Sequence, residues 1–135
     1  MIVVDASVLA VALGDDGSDG QRARERLADE TLVAPELVDL EVLSVWRSQV
    51  AAKRMAVRRA ADAVVDLADL PLRRSSHRPV LQRIWELRHA VTPYAAAYIA
   101  LAEVLDVPLV TADARLSRAP RVSCEIEVIG ETEDA

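Results

Sequence analysis

Three carboxylates stand out for where they fall along the chain. Asp5 closes the apolar run Met1-Ile2-Val3-Val4, and Asp113 follows a second run, Leu109-Val110-Thr111-Ala112. Apolar runs without alternation suit strands buried on both faces of a parallel sheet. In such a sheet, ligands bind beyond the carboxyl ends of the strands. If the two strands are neighbours, the two carboxylates converge at one edge. Capping the next turn is the other ordinary use of Asp there, but two acids at matching strand ends tilt the reading toward a site.

Glu41 is the third acid. It falls on an expected helix one turn after Leu37, beside Leu40 and one turn before Val45, on what reads as the core-facing side. A carboxylate placed there is costly unless a cation or a donor meets it. Clustered carboxylates repel one another, and a divalent cation is the simplest thing that holds them together. An all-oxygen donor set favours Mg²⁺ or Mn²⁺ over zinc. Such a site suits phosphodiester hydrolysis, in which the metal makes a water more acidic and neutralises charge on the in-line transition state. Phosphate-binding glycine loops, HExxH and GxSxG are absent, and His77 and His89 are too isolated for a triad. A phospho-acceptor role for Asp5 is weaker, because it needs further acids or a differently placed lysine than Lys53.

The elements that must carry these acids follow from the pattern. Gln21 to Asp29 reads as a short polar helix after the loop Gly14 to Gly20. Pro35 to about Ala52 reads as a helix opened by Pro, with Leu37, Leu40, Ser44 and Val45 along one side. Met55 to about Leu70 and Pro79 to about His89 read as further helices. Thr92 caps another that has Pro93 at its first position and runs to about Leu105. Glu125 to Ile129 reads as a last strand, and Arg73-Arg74 as loop. Helices alternating with short apolar strands call for an α/β architecture, a short and mostly parallel central sheet flanked by helices. Residues 1–130 form the expected domain, with 131–135 an acidic tail.

Composition narrows the class. With 135 residues, 52% hydrophobic and 28% charged, the chain reads as one soluble globular domain. Aromatic residues make up only 3% with no Phe, so a base-stacking platform is not expected; Trp46 and Trp85 read as core or interface anchors. One cysteine, Cys124, and no long apolar run point to a cytoplasmic protein without a membrane partner. The net charge of −6 is unevenly spread. Residues 1–45 carry three bases and ten acids, net −7; residues 46–90 carry ten bases and four acids, net +6. Fifteen of the sixteen bases are Arg, which grips phosphate bidentately. Arg47, Lys53, Arg54 and Arg115 are the candidate phosphate contacts for a nucleic-acid partner, against the alternative that the block is a solvated helix face.

Four segments together resemble a known family. Ile2-Val3-Val4-Asp5-Ala6-Ser7-Val8-Leu9, Ala34-Pro35-Glu36-Leu37 with Leu40-Glu41-Val42-Leu43, Val91-Thr92-Pro93-Tyr94 with Ala97 to Glu103, and Leu109 to Leu116 are similar in content, order and separation to PIN-domain ribonucleases of the VapC toxin type. The resemblance implies a compact PIN-like α/β fold and Mg²⁺- or Mn²⁺-dependent RNA hydrolysis. It also implies a cognate VapB-like antitoxin and a homodimer. Carried over by position, Asp5, Glu41 and Asp113 are metal-binding and catalytic, and Ser7 and Thr111 are supporting hydroxyls.

One position departs from the family pattern. The Asp expected directly after the Tyr of Thr92-Pro93-Tyr94 is Ala95 here. It is the third residue of a Thr-capped helix, where an acid is favoured by the capping geometry and the helix dipole. The resemblance therefore implies a weakened nuclease, missing one metal ligand amid otherwise intact motifs. The alternative is a binding module that docks an antitoxin or RNA without cutting.

Overall fold

The computed structural model describes residues 1–130, and the acidic tail 131–135 lies outside the described residues. The elements in order are β1 (Ile2–Val4), α1 (Ala6–Gly14), α2 (Ser18–Leu27), β2 (Leu32–Pro35), α3 (Val38–Ala51), α4 (Val57–Asp69), β3 (Leu72–Ser75), α5 (Leu81–Glu86), α6 (Pro93–Leu105), β4 (Leu109–Thr111) and β5 (Ile126–Val128).

The five strands form one sheet in the order β3-β2-β1-β4-β5, and every neighbouring pair is parallel. β1 is central, with both faces covered, which is why Ile2, Val3 and Val4 are all apolar and all buried. Its register sets Val3 opposite Leu109 and Val4 opposite Val110. The chain direction reverses its crossover sense at β1 and β4, so residues just past these two strands share a crevice.

α1 and α6 are apolar on nearly all sides because they are packed from several directions. The core unites them with the sheet and with Val38, Val42 and Trp46 of α3. The Trp46 indole N–H donates to the Ala10 carbonyl at 3.1 Å, satisfying the one polar atom of the largest buried ring. Gly14 is small because a Cβ there would come within 2.6 Å of that indole nitrogen.

Several expectations are corrected. Pro35 ends strand β2 rather than opening a helix, and α3 begins at Val38. A short strand whose last residue is Pro leaves little period-2 signal. Arg73 and Arg74 lie in the edge strand β3, not in a loop; the charges that made the segment look like a loop also protect a sheet edge. α3 is rotated by about one residue from the expected face, since Leu40 is 71% exposed while Val38, Val42 and Trp46 face the core. Trp85 is 67% exposed on α5 with Arg88 stacked over its ring, so it is no core anchor. The Gly14 to Gly20 loop is shorter than expected, because α1 runs through Gly14 and α2 starts at Ser18. The segment after Pro79 is a single 3₁₀ turn followed by a helix that stops at Glu86.

Candidate active site

Asp5 and Asp113 follow neighbouring strands, the condition on which the expected convergence of their carboxylates depended. With Glu41 of α3 and Ala95 of α6 they line one hollow of about 380 Å³, whose rim carries Thr92 and Tyr94. Ser44 and Tyr98 complete the side toward α3.

Asp5 sits at the N-cap position of α1 in extended conformation, yet its side chain makes no capping bond. Its Oδ2 instead accepts from the Ser7 hydroxyl at 2.8 Å and the Thr111 hydroxyl at 2.6 Å. Both hydroxyls are aimed by the backbone. The Ala112 N–H donates to Ser7 Oγ and the Asp113 N–H donates to Thr111 Oγ1, each at 3.0 Å, so each hydroxyl proton is left to point at Asp5. The capping alternative is thus excluded for Asp5.

It holds for Asp113. Its Oδ1 caps the turn after β4 by accepting from the Arg115 backbone N–H at 3.0 Å, and both carboxylate oxygens meet the Arg115 guanidinium at 3.0 and 2.9 Å. Arg115 holds the Asp113 carboxyl below the usual aspartate range, chiefly through that side-chain bond.

Glu41 is met by a donor the sequence reading did not include. Tyr98, one turn after Ala95 on α6, is 1% exposed, and its hydroxyl donates to Glu41 Oε1 at 2.6 Å. Burial pushes the Glu41 carboxyl above its ordinary value, the Tyr98 bond pulls it partly back, and the like charge of Asp5 raises it further. Burial and the adjacent Glu41 also push the Tyr98 phenol far up, so it stays protonated and donating. A clue was available in the spacing: a Tyr at i+3 from position 95 shares its helix face.

Ala95 stands where expected, its N–H bonded to Thr92 Oγ1 at 3.2 Å at the third helical position. Its methyl faces the hollow in place of an acid.

Comparison with known proteins decides the family. Residues 2–122 match the PIN domain model. The chain belongs to the PIN-domain family. Among curated PIN-domain relatives, Ribonuclease VapC1 of Mycobacterium tuberculosis is 39% identical over 128 residues, covering 94% of this chain and 96% of that protein. VapC ribonuclease Mb0985 of Mycobacterium bovis is 40% identical over 129 residues, covering 96% and 98%. This PIN domain is therefore of the VapC type. Solved structures share the fold at lower identity. The Mycobacterium tuberculosis VapC20 toxin, described as cleaving the sarcin-ricin loop, aligns with a TM-score of 0.62 at 16% identity, covering 81% of this chain and 87% of that one. VapBC2 from Rickettsia felis, bound to a promoter DNA fragment, aligns with a TM-score of 0.61 at 14% identity, covering 93% and 98%.

The donor set of this PIN domain agrees in kind with a hard divalent cation, since the hollow offers carboxylate and hydroxyl oxygens. Asp5 and Glu41 are close enough for their charges to interact, and each keeps one oxygen free of the bonds described. Among the described residues, however, no three His, Cys, Asp or Glu side chains stand close enough to hold one ion. Ala95 presents a methyl to the hollow, and both Asp113 oxygens are engaged by Arg115.

The basic candidates divide. Arg59, Arg74 and Arg83 are engaged with Asp16, Asp39 and Glu103. Arg47, Lys53 and Arg54 make no ion pair among the described residues and are exposed, whereas Arg115 is held on Asp113. No helix among the described residues is long and apolar enough to cross a membrane.

Proposed function

We propose that this VapC-type chain is the toxin of a toxin–antitoxin pair, with a hollow built to hydrolyse RNA phosphodiesters using Mg²⁺ or Mn²⁺, and that Ala95 leaves it catalytically weakened. The observation that carries the reading is the gathering of Asp5, Glu41, Asp113 and position 95 on one hollow, from four segments of the chain. Asp5 and Glu41 would hold the cation, with Asp113 joining once its bond to Arg115 yields. When bound, the ion supplies a more acidic water and neutralises charge on the phosphate.

The chain's own residues do the rest. Ser7 and Thr111 fix the Asp5 carboxylate, and Tyr98 fixes Glu41, so neither has to be ordered when substrate arrives. Arg47, Lys53, Arg54 and Arg115 supply phosphate contacts, with Arg115 in an adjoining depression that shares Thr92, Ala95, Asp113 and Leu116 with the hollow. A VapB-like antitoxin would meet the acids with a basic side chain. Homodimerisation and a cytoplasmic setting belong to the same reading.

A second reading, a module that docks antitoxin or RNA without cutting, is favoured by two observations together. Ala95 removes a donor, and Arg115 neutralises Asp113. The two readings separate in one assay: Mn²⁺-dependent cleavage of total RNA by this chain beside its Ala95→Asp variant, with EDTA controls. Cleavage confined to the Asp variant establishes a disabled nuclease site. Silence from both, in folded samples, leaves the docking module.

A further inference from the structure

We propose that Tyr94 is a base-stacking residue that makes the hollow a reader of single-stranded RNA: an unpaired base lies on the Tyr94 ring while a neighbouring phosphate meets Arg115. The inference rests on the RNA reading above and deepens it by naming what holds the base. It requires no cation in the hollow.

The four Trp and Tyr rings of the chain divide by what covers them. Trp46 is buried and donates its indole N–H to the Ala10 carbonyl. Tyr98 is buried and donates to Glu41. Trp85 is exposed, but Arg88 lies over its ring at 4.6 Å. Tyr94 differs from all three: it is 63% exposed, it lines the hollow, and among the described residues no cation lies over it. So aromatic-poor a chain builds no platform of several rings, yet it leaves one ring open at the hollow.

Local structure holds that ring in place. Thr92 Oγ1 accepts the Ala95 N–H at 3.2 Å, and Pro93 fixes the backbone at the first position of α6, so Tyr94 stands on a capped first turn. One turn later, Tyr98 ties the same helix to Glu41 of α3. A Tyr side chain has only two torsions to order, so a partner gains a large contact at little entropic cost.

The surroundings suit the rest of a nucleotide. Thr92 and Ala95, on either side of Tyr94 in the chain, line both the hollow and the adjoining depression that holds Arg115. Arg115 gives Nε and Nη2 to Asp113, which leaves Nη1 for a phosphate without breaking that pair. Bases inside a duplex are stacked on one another and offer no open face, so the ring admits an unpaired base alone. Every base has a π-face, so the contact separates unpaired from paired RNA more sharply than it separates one base from another.

The test measures binding by the full chain, in EDTA at low salt, of three labelled probes: a short unstructured RNA, its abasic counterpart of equal length and charge, and a blunt RNA duplex. Tyr94→Leu removes the ring, Tyr94→Phe keeps it, and Trp85→Leu removes an exposed ring away from the hollow. Both positions are exposed, so the variants fold. Tyr94→Leu is expected to weaken the unstructured RNA about tenfold, within the range for one stacked base, and to leave the abasic strand unchanged. Tyr94→Phe and Trp85→Leu are expected to match the parent, which should bind the duplex more weakly than the single strand. An equal loss on the abasic strand, a Tyr94→Phe loss as large as that of Tyr94→Leu, or a duplex bound as tightly as the single strand overturns the proposal. Unchanged RNA binding by Tyr94→Leu overturns it as well and assigns the ring to a protein partner. A parent that binds none of the three probes overturns the RNA reading beneath it.

Discussion

Thr111 Oγ1 lies 2.6 Å from Asp5 Oδ2, across 106 residues of chain, and its own oxygen accepts the Asp113 N–H. One buried hydroxyl thus ties the carboxylate after β1 to the backbone carrying the carboxylate after β4. The link exists because the two strands are register neighbours, with Val4 opposite Val110.

Replacing Thr111 with Val removes the donor to Asp5 and the acceptor for Asp113 at nearly constant volume. The expected stability loss is about 1–2 kcal/mol, that of a buried hydrogen-bonded pair left unmatched. In the Ala95→Asp background the cleavage rate should fall more than RNA affinity does. Chemical denaturation together with single-turnover kinetics checks this, and a loss of RNA affinity alone would contradict it.

Glu41 gives the site an acid limb. Its carboxyl is raised above the ordinary 4.5 by burial, so the protonated form persists to higher pH than for a surface glutamate. Metal binding needs the ionised form. Affinity for Mn²⁺ should therefore decline as pH falls through the raised Glu41 value. Removing the Tyr98 bond, which lowers that value, should move the limb to still higher pH. In stability terms the sign is opposite: a raised carboxyl favours the folded state below its unfolded value, and that contribution disappears as pH rises through the folded one. Titration of Mn²⁺ affinity against pH for the parent and Tyr98→Phe reads the shift.

Glu103 anchors a second region. Arg83 donates to its two oxygens at 2.7 and 3.0 Å, the Ser123 N–H donates at 2.7 Å, and Arg83 also reaches the Arg121 carbonyl. These bonds clamp α5, α6 and the segment leading into β5. The Arg83 bond holds the Glu103 carboxyl below its ordinary value. The stability it supplies is present above the unfolded glutamate value and lost as pH falls through the folded one. Glu103→Gln should cost about 1–3 kcal/mol at neutral pH, discounted because Arg83 is partly solvated, and should flatten the acid side of the stability profile. Melting curves across pH test both.

Gly20 is required by close approach. The Asp15 side chain accepts from its N–H at 2.7 Å, and a Cβ at this position would overlap the Asp15 carbonyl. Gly20→Ala should destabilise the α1–α2 corner by about 1–3 kcal/mol, whereas Gly17→Ala, whose Cβ would meet only the Asp15 carboxylate oxygens at 3.5 and 3.8 Å, should cost far less. Paired denaturation curves should separate the two, and equal effects would refute the close-approach account.

Much of the site was legible because strand ends are written in local sequence. An apolar run followed by Asp marks a buried strand meeting a polar edge, and two such runs located Asp5 and Asp113 without any view of the fold. The Thr92-Pro93 cap and the missing acid at Ala95 were equally local. Legibility failed where burial depends on neighbours. β3, Leu72–Ser75, carries two arginines and becomes a strand only because β2 offers it an edge, with Arg74 neutralised by Asp39. Leu40 looked core-facing because helix rotation is set by what packs against α3, and a shift of about one residue exposes it.

The sequence by itself determined the chemical inventory: which acids exist, which strand ends carry two of them, and which family position is alanine. Tertiary structure alone decided how each acid is used. Asp5 and Asp113 occupy equivalent strand ends, yet one is gripped by two buried hydroxyls and the other by an exposed arginine two residues away. Hydrogen bonds act over less than 3.5 Å, so their partners come from whatever the sheet order brings together. Tyr98 is therefore tied to Glu41, 57 residues earlier in the chain, for a reason that no spacing in the sequence expresses.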